Sequence, residues 1–219
     1  MSSRKKYAIF GGSFNPVQKA HVEITKEVIE NLKPDKIFIV PASMPPHKPD
    51  AKLLSFSYRF KLLRMAFEEQ LINNTVQLSI IEKRLPSPGY TVNTMKIFKN
   101  CFPEAEFSLI MGHDMYNILE QWYEVEYLTK NFQFIIAERE NDKEINNKVN
   151  LSFKKGISFL DHQYADLSST TARELLTEYF ISKGSDILSK LKNILPENVL
   201  HYIIEKKLYS ENIEQTKST

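Results

Sequence analysis

A single cysteine, Cys101, in 219 residues leaves no partner for an intrachain disulfide and no Cys-rich zinc site. No apolar run approaches the roughly 18 residues that a membrane-spanning helix needs. The basic start, Met1 to Lys6, is followed by an apolar stretch that stops at Phe10, which is short for a secretory leader. A soluble, cytoplasmic protein with no membrane partner is therefore expected. Charge of one sign is missing too. The 29 Lys and Arg are scattered among 27 Asp and Glu, for a net charge of +2. That balance argues against nucleic acid, which calls for a clustered basic stripe. Small anionic ligands stay open, because a site needs only local positive charge. Glycine is scarce: six residues, against a usual share of about 7%. Two of the six are adjacent, Gly11 and Gly12.

What is present is globular: 42% hydrophobic and 26% charged residues, enough apolar content for a core. Tyr7 to Phe10 reads as a buried strand ended by Gly11-Gly12, and Val22, Ile24, Val28, Ile29 and Leu32 then recur at helical spacing up to Pro34. Lys36 to Val40 is a second strand. Pro41 to Pro49 holds four prolines and reads as an irregular loop. A helix over Ser57 to Gln70, a strand at Val76 to Ile80, a helix over Thr91 to Asn100 and a strand at Phe107 to Met111 follow. Met115 to Leu128 reads as mostly helical. Phe132 to Ala137 and Ile157 to Leu160 are strands, and Glu174 to Ile181 is a helix. Glu138 to Asn150 is charged and Asn-rich and reads as a mobile loop.

This alternation predicts an α/β fold with a Rossmann-like parallel sheet and helices on both faces. After about Gly184 two short helices succeed each other with no strand between. They are expected to cap the sheet edge, followed by a polar tail from Ser210. The division expected is residues 1–183 for the α/β domain and 184–219 for a helical extension and tail of that same domain. In such sheets ligands bind beyond the carboxyl ends of the strands. The loops after Phe10, Val40, Met111 and Ala137 are the places to look.

The first strand runs into Gly11-Gly12-Ser13-Phe14-Asn15-Pro16, and Val17-Gln18-Lys19-Ala20-His21 opens a helix. Glycines after a buried strand admit a ligand close to the backbone. A helix start adds unpaired N–H groups that favour phosphate. A tight turn with a helix-capping histidine explains the same residues equally well. The stretch is neither Gly-x-Gly-x-x-Gly nor a P-loop. A second phosphate-suited element lies far along the chain, at Ser168-Ser169-Thr170-Thr171-Ala172-Arg173. Its hydroxyls suit a helix cap, and Thr170 and Arg173 share one side of the first turn. Alone, it reads as an N-cap beside a solvated arginine.

Taken together, the two elements resemble the nucleotidyltransferase superfamily with (His/Thr)-x-Gly-His and Ser-Ser-Thr-x-x-Arg motifs. His21 falls on the second histidine of the first motif, and Ser168 to Arg173 match the second. Pro45-Pro46-His47-Lys48, Tyr90-Thr91 with Thr94, Gly112-x-Asp114 and Trp122-Tyr123 narrow the resemblance to bacterial nicotinate-nucleotide adenylyltransferases. The matches keep their order from Gly11 to Arg173. Gln18 stands where that family most often has the first histidine, Ala20 where it has glycine, and Glu138-Arg139-Glu140 where it usually has Arg-Pro.

The resemblance implies adenylyl transfer from ATP to nicotinate mononucleotide, giving deamido-NAD and pyrophosphate in NAD biosynthesis. ATP and the mononucleotide are then the partners, and Mg²⁺ travels with ATP. It implies His21 and Arg173 as catalytic groups. ATP would be bound by Gly11, Gly12, Ser13, Phe14, Gln18, His21, Asp114, Ser169, Thr170 and Arg173. The mononucleotide would be bound by His47, Lys48, Tyr90, Thr91, Trp122 and Tyr123. No resident metal site is implied. The alternatives are an adenylyltransferase of the same superfamily acting on nicotinamide mononucleotide or phosphopantetheine, and a catalytically inactive nucleotide-binding module, motivated by Gln18 and Ala20. The sequence leaves assembly into identical copies open. His113 reads as incidental, and His162 and His201 as surface or packing residues.

Overall fold

The computed structural model describes residues 4–45, 53–138, 149–161 and 168–210. Its elements run β1 (Lys6–Gly12), α1 (Lys19–Leu32), β2 (Lys36–Pro41), α2 (Phe56–Ala66), α3 (Glu68–Ile72), β3 (Val76–Leu78), α4 (Thr91–Cys101) and β4 (Glu106–Gly112). They continue with α5 (His113–Tyr116), α6 (Val125–Asn131), β5 (Gln133–Glu138), β6 (Ile157–Asp161), α7 (Ser169–Ser182), α8 (Ser185–Ile194) and α9 (Glu197–Glu205). The six strands form one parallel sheet in the order β3-β2-β1-β4-β5-β6. The order reverses between β1 and β4. In parallel sheets ligands bind at such a reversal, beyond the carboxyl ends of the strands.

Strand period places alternate residues on opposite faces. Ala8 and Phe10, Ile37 and Ile39, and Ile135 and Ala137 join one core, with α1, α2 and α7 to α9. Ile9, Phe38, Val40, Phe134 and Ile136 join the other, with α4 and α6. Both faces are covered, which is why the strands read as unbroken apolar runs.

The expected elements shift in four places. β1 does not stop before its glycines: Gly11 pairs with Val40 and Gly12 with Pro41. The helix expected over 57–70 is broken at Phe67, whose side chain is fully buried. β3 ends at Leu78, because the Ser79 hydroxyl accepts the Ile81 N–H and starts a 3-10 turn over Ile81–Arg84. The 115–128 stretch is α5, a 3-10 turn at Leu119–Gln121 and α6, because Glu124 takes a left-handed φ of 50°. That bend lets Trp122 and Tyr123 leave the helical path. Helices α8 and α9 follow α7 with no strand between them, as expected. Leu191, Ile194, Val199, Leu200 and Ile203 are buried in the same core as Phe10 and Ile39. Most of the loop expected at 138–150, and the tail beyond Ser210, lie outside the described residues.

Candidate active site at the β1–β4 switch

The loop after β1 is held in an unusual conformation. Phe14 is 1% exposed and has a φ of 45°, which costs a non-glycine residue about 1–3 kcal/mol and persists only where its surroundings fix it. They do so here from several sides. The Ser13 carbonyl accepts from Arg59 Nη1 at 2.7 Å. The Asn15 carbonyl accepts from Arg173 Nη1 at 2.9 Å. Asn15 Oδ1 accepts from the Leu54 N–H at 3.1 Å and the Tyr209 hydroxyl at 2.9 Å. The Phe14 ring packs edge-on against Phe10 and His21.

The two glycines differ in what they serve. A Cβ on Gly12 would meet the Phe14 ring at 3.1 to 3.4 Å, so Gly12 makes room for the buried phenyl. A Cβ on Gly11 would meet nothing within 4 Å. Gly11 borders open space at the sheet's carboxyl edge, where a ligand can lie against the backbone.

Helix α1 begins beside this loop, with Gln18 as its N-cap. The Gln18 N–H donates to His21 Nδ1 at 3.0 Å. A nitrogen that accepts an N–H carries no proton, so the neutral ring bears its hydrogen on Nε2. The histidine therefore caps the helix with one nitrogen and presents a donor with the other. Gln18 is itself buried, at 6% exposure. The first turn of α1 contains no acid, and neither do those of α4 and α7. The positive ends of these three helix dipoles are left uncompensated by carboxylates in the first turn.

Helix α7 joins the loop from a distance of over 150 residues in sequence. Ser168 caps it, accepting the Thr171 N–H at 3.2 Å. The Ser169 hydroxyl lies 3.5 Å from the Pro16 carbonyl. Arg173 binds the Asn15 and Ser169 carbonyls through Nη1 and the Thr170 hydroxyl through Nη2. The Ser-Ser-Thr-x-x-Arg and Gly-Gly-Ser-Phe-Asn-Pro stretches are thus one structure, tied by that arginine.

On the far side of the switch, Asp114 folds back over Gly112: a Cβ there would meet its Oδ1 at 2.7 Å. This explains glycine two residues before the aspartate. His113, read as incidental, is 6% exposed and faces Glu138 across 3.8 Å between Nε2 and Oε1. Tyr90 N-caps α4 without a side-chain bond, and its ring meets that of Tyr123 at 4.7 Å. Thr91 opens α4, and Trp122 is half-buried against the core on that face. His47 and Lys48 lie outside the described residues, as does His162.

Four residues that hold this site carried no clear signal. Arg59 is 1% exposed within α2; an arginine three residues before Leu62-Leu63 on their buried stripe was the available hint. Burial pushes its guanidinium below the ordinary value, while the Tyr209 and Glu82 side chains oppose that shift. Asn15 appeared only as one letter of a motif. Tyr209 sat at the edge of a polar tail. Burial raises its phenol well above the ordinary value, so it remains a hydroxyl donor at neutral pH. Glu82 is 7% exposed, accepts the Ser43 N–H and the Thr94 hydroxyl, and is raised in pKa by burial. It links the start of the loop after β2 to α4.

Among the described residues no group of three His, Cys, Asp or Glu is placed to hold a metal ion. No helix among them is long and apolar enough to cross a membrane. The donors gathered at this switch point are main-chain N–H groups at helix starts, hydroxyls, imidazole and guanidinium. Those groups suit phosphate oxygens.

A parallel sheet whose switch point gathers such donors defines a nucleotide-binding α/β protein. The chain belongs to the cytidylyltransferase-like family, whose model matches residues 9–175, and within it to the nicotinate-nucleotide adenylyltransferases. It is 30% identical over 214 residues to a probable nicotinate-nucleotide adenylyltransferase of Lactococcus lactis, covering 95% of this chain and 97% of that one. It is also 30% identical over 208 residues to a protein of the same description from Clostridium botulinum strain Okra, covering 92% and 98%. The fold is similar to that of Plasmodium falciparum nicotinic acid mononucleotide adenylyltransferase complexed with NaAD. The TM-score is 0.73 at 24% identity, over 94% of this chain and 98% of that one.

Proposed function

We propose that this chain transfers the adenylyl group of ATP to nicotinate mononucleotide, releasing pyrophosphate and forming deamido-NAD. The observation that carries the reading is the union of the β1 loop and the α7 start through Arg173, 2.9 Å from the Asn15 carbonyl, in a chain with these relatives. A phosphate oxygen of the mononucleotide attacks the α-phosphorus of ATP. The bond from that phosphorus to the bridging oxygen breaks, and the electron pair leaves with pyrophosphate. The attacking group is already anionic, so no base has to remove a proton from it. Catalysis consists of holding two polyanions in line and stabilising the charge that develops.

The roles follow from that need. The glycine-bordered loop, Gly11 to Phe14, lines the nucleotide, with Gln18 supporting the α1 start. His21 Nε2–H donates to the ATP phosphates. Ser169, Thr170 and the guanidinium of Arg173 hold the phosphates that depart. Asp114, folded over Gly112, meets the ribose or adenine. Mg²⁺ enters as part of the ATP substrate and keeps several waters. Tyr90, Thr91, Trp122 and Tyr123 form the mononucleotide side, to which the family resemblance also assigns His47 and Lys48. The α4 start favours a carboxylate over an amide, whose NH₂ would face donors.

The test is pyrophosphate release from ATP with nicotinate mononucleotide, nicotinamide mononucleotide and phosphopantetheine in turn. The acid is expected to be the best substrate by a wide margin in kcat/KM. Equal use of acid and amide would remove the α4 assignment. No release with any acceptor would favour a binding module. His21→Ala is expected to lower kcat by about 10²–10³. Full activity in that variant would overturn the site.

A further inference from the structure

Apart from Tyr209, the residues described at the site fall within residues 9–175, the span of the family match. One contact reaches it from well beyond. The turn after α9 carries left-handed φ values at Lys207 (50°) and Tyr209 (69°). It aims the Tyr209 side chain inward, to 8% exposure. Its hydroxyl donates to Asn15 Oδ1 at 2.9 Å, across 194 positions of sequence.

Asn15 is where the restraints on the loop cross. It is 1% exposed. Its carbonyl holds Arg173 Nη1, and its amide oxygen takes the Tyr209 hydroxyl and the Leu54 N–H. The residue before it is the left-handed Phe14, which contacts His21. A shift of the Asn15 backbone, which its anchored side chain holds in place, would therefore carry with it two groups proposed to meet phosphate: the imidazole through Phe14, and the guanidinium through the Asn15 carbonyl. A loop forced into a sparsely populated conformation depends on every such restraint. A reacting group displaced by a fraction of an ångström loses rate steeply.

We infer that Tyr209 is a positioning residue for adenylyl transfer, its hydroxyl fixing Asn15 so that Arg173 and His21 meet the ATP phosphates in register. The inference rests on the function proposed above. It gives the C-terminal helices a part in the reaction: they deliver a phenol to the back of the nucleotide loop. It also predicts a one-sided effect, because Tyr209 contacts the loop after β1 and not the Tyr90–Tyr123 side.

Tyr209→Phe removes the hydroxyl and keeps the ring that fills the core. The expected result is a fall of about tenfold in kcat/KM for ATP. KM for nicotinate mononucleotide should stay within about twofold of wild type. In an Asn15→Ala background the same change should add nothing, because the partner is gone. Wild-type kinetics in Tyr209→Phe would overturn the inference. So would an equal additional loss in the Asn15→Ala background, or a parallel loss towards both substrates that tracks the thermal midpoint. Calorimetric binding of α,β-methylene-ATP separates this inference from the function reading. Should the wild type release no pyrophosphate with any acceptor, the function reading fails. Weaker analogue binding in Tyr209→Phe would still support the positioning role, and unchanged binding would sink it.

Discussion

Gly11 and Gly12 are neighbours in sequence with opposite surroundings, and two substitutions separate them. Gly12→Ala drives a methyl into a phenyl ring that cannot retreat, because Phe10 and His21 pack against it. It is expected to destabilise the fold by about 1–3 kcal/mol, read by denaturant melts. Gly11→Ala meets open space. It should leave stability unchanged and lower kcat/KM for ATP by roughly tenfold, because the methyl occupies ground the nucleotide needs. Equal thermal loss in both variants would show that Gly11 is also structural. Arg173 offers the second contrast. Its planar fork binds two carbonyls and a hydroxyl at once. An ammonium cannot reproduce that geometry. Arg173→Lys should therefore lose nearly as much as Arg173→Ala, about 10²–10³ in kcat/KM for ATP. Recovery of most activity by lysine would mean that only charge matters there.

At the level of elements, the 3-10 turn carrying Glu82 clasps the loop after β2 to α4. Burial raises the Glu82 carboxyl above its ordinary 4.5, against the opposing pull of Ser43, Thr94 and Arg59. A raised acid adds stability that is fully present below its unfolded pKa and is lost as pH rises through the folded value. The loss therefore begins near pH 4.5 and continues upward. Glu82→Gln can accept from the Ser43 N–H and donate to the Thr94 hydroxyl. It should remove that slope, so the stability difference moves in favour of the variant as pH rises from about 4.5. Denaturant midpoints across a pH series check this, and parallel curves would clear Glu82 as the source. The bend at Glu124, paired with Lys96 at 2.6 Å, sets Trp122 and Tyr123 outside the helix. Trp122→Ala should accordingly raise KM for the mononucleotide more than KM for ATP, measured by varying each substrate at saturation of the other.

For the molecule as a whole, helices α8 and α9 share one apolar core with the central strands. We propose that residues 184–210 are part of the same domain as residues 4–183. Unfolding should then be a single transition by far-UV circular dichroism and tryptophan fluorescence alike. Leu200→Ala, at 1% exposure, should cost about 2–5 kcal/mol of the whole. Two separate transitions would mark the C-terminal helices as an appendage. Composition and periodicity were sufficient for the layered α/β class, because strands buried on both faces must be apolar throughout. Two phosphate-suited elements could also be read from their residue types, since those chemistries are local. Their union was legible only through the family resemblance, and the contacts that make it were not. Asn15 meets Arg173 across 158 positions and Tyr209 across 194, and neither pair leaves a periodic trace. The break at 115–128 was equally hidden, because a left-handed glutamate has no signature of its own. Local chemistry in the chain set which groups can hold phosphate. Only tertiary packing decided that Arg59, Tyr209 and Arg173 would close on one strained loop, because contacts of that range arise from the fold and not from neighbours in sequence.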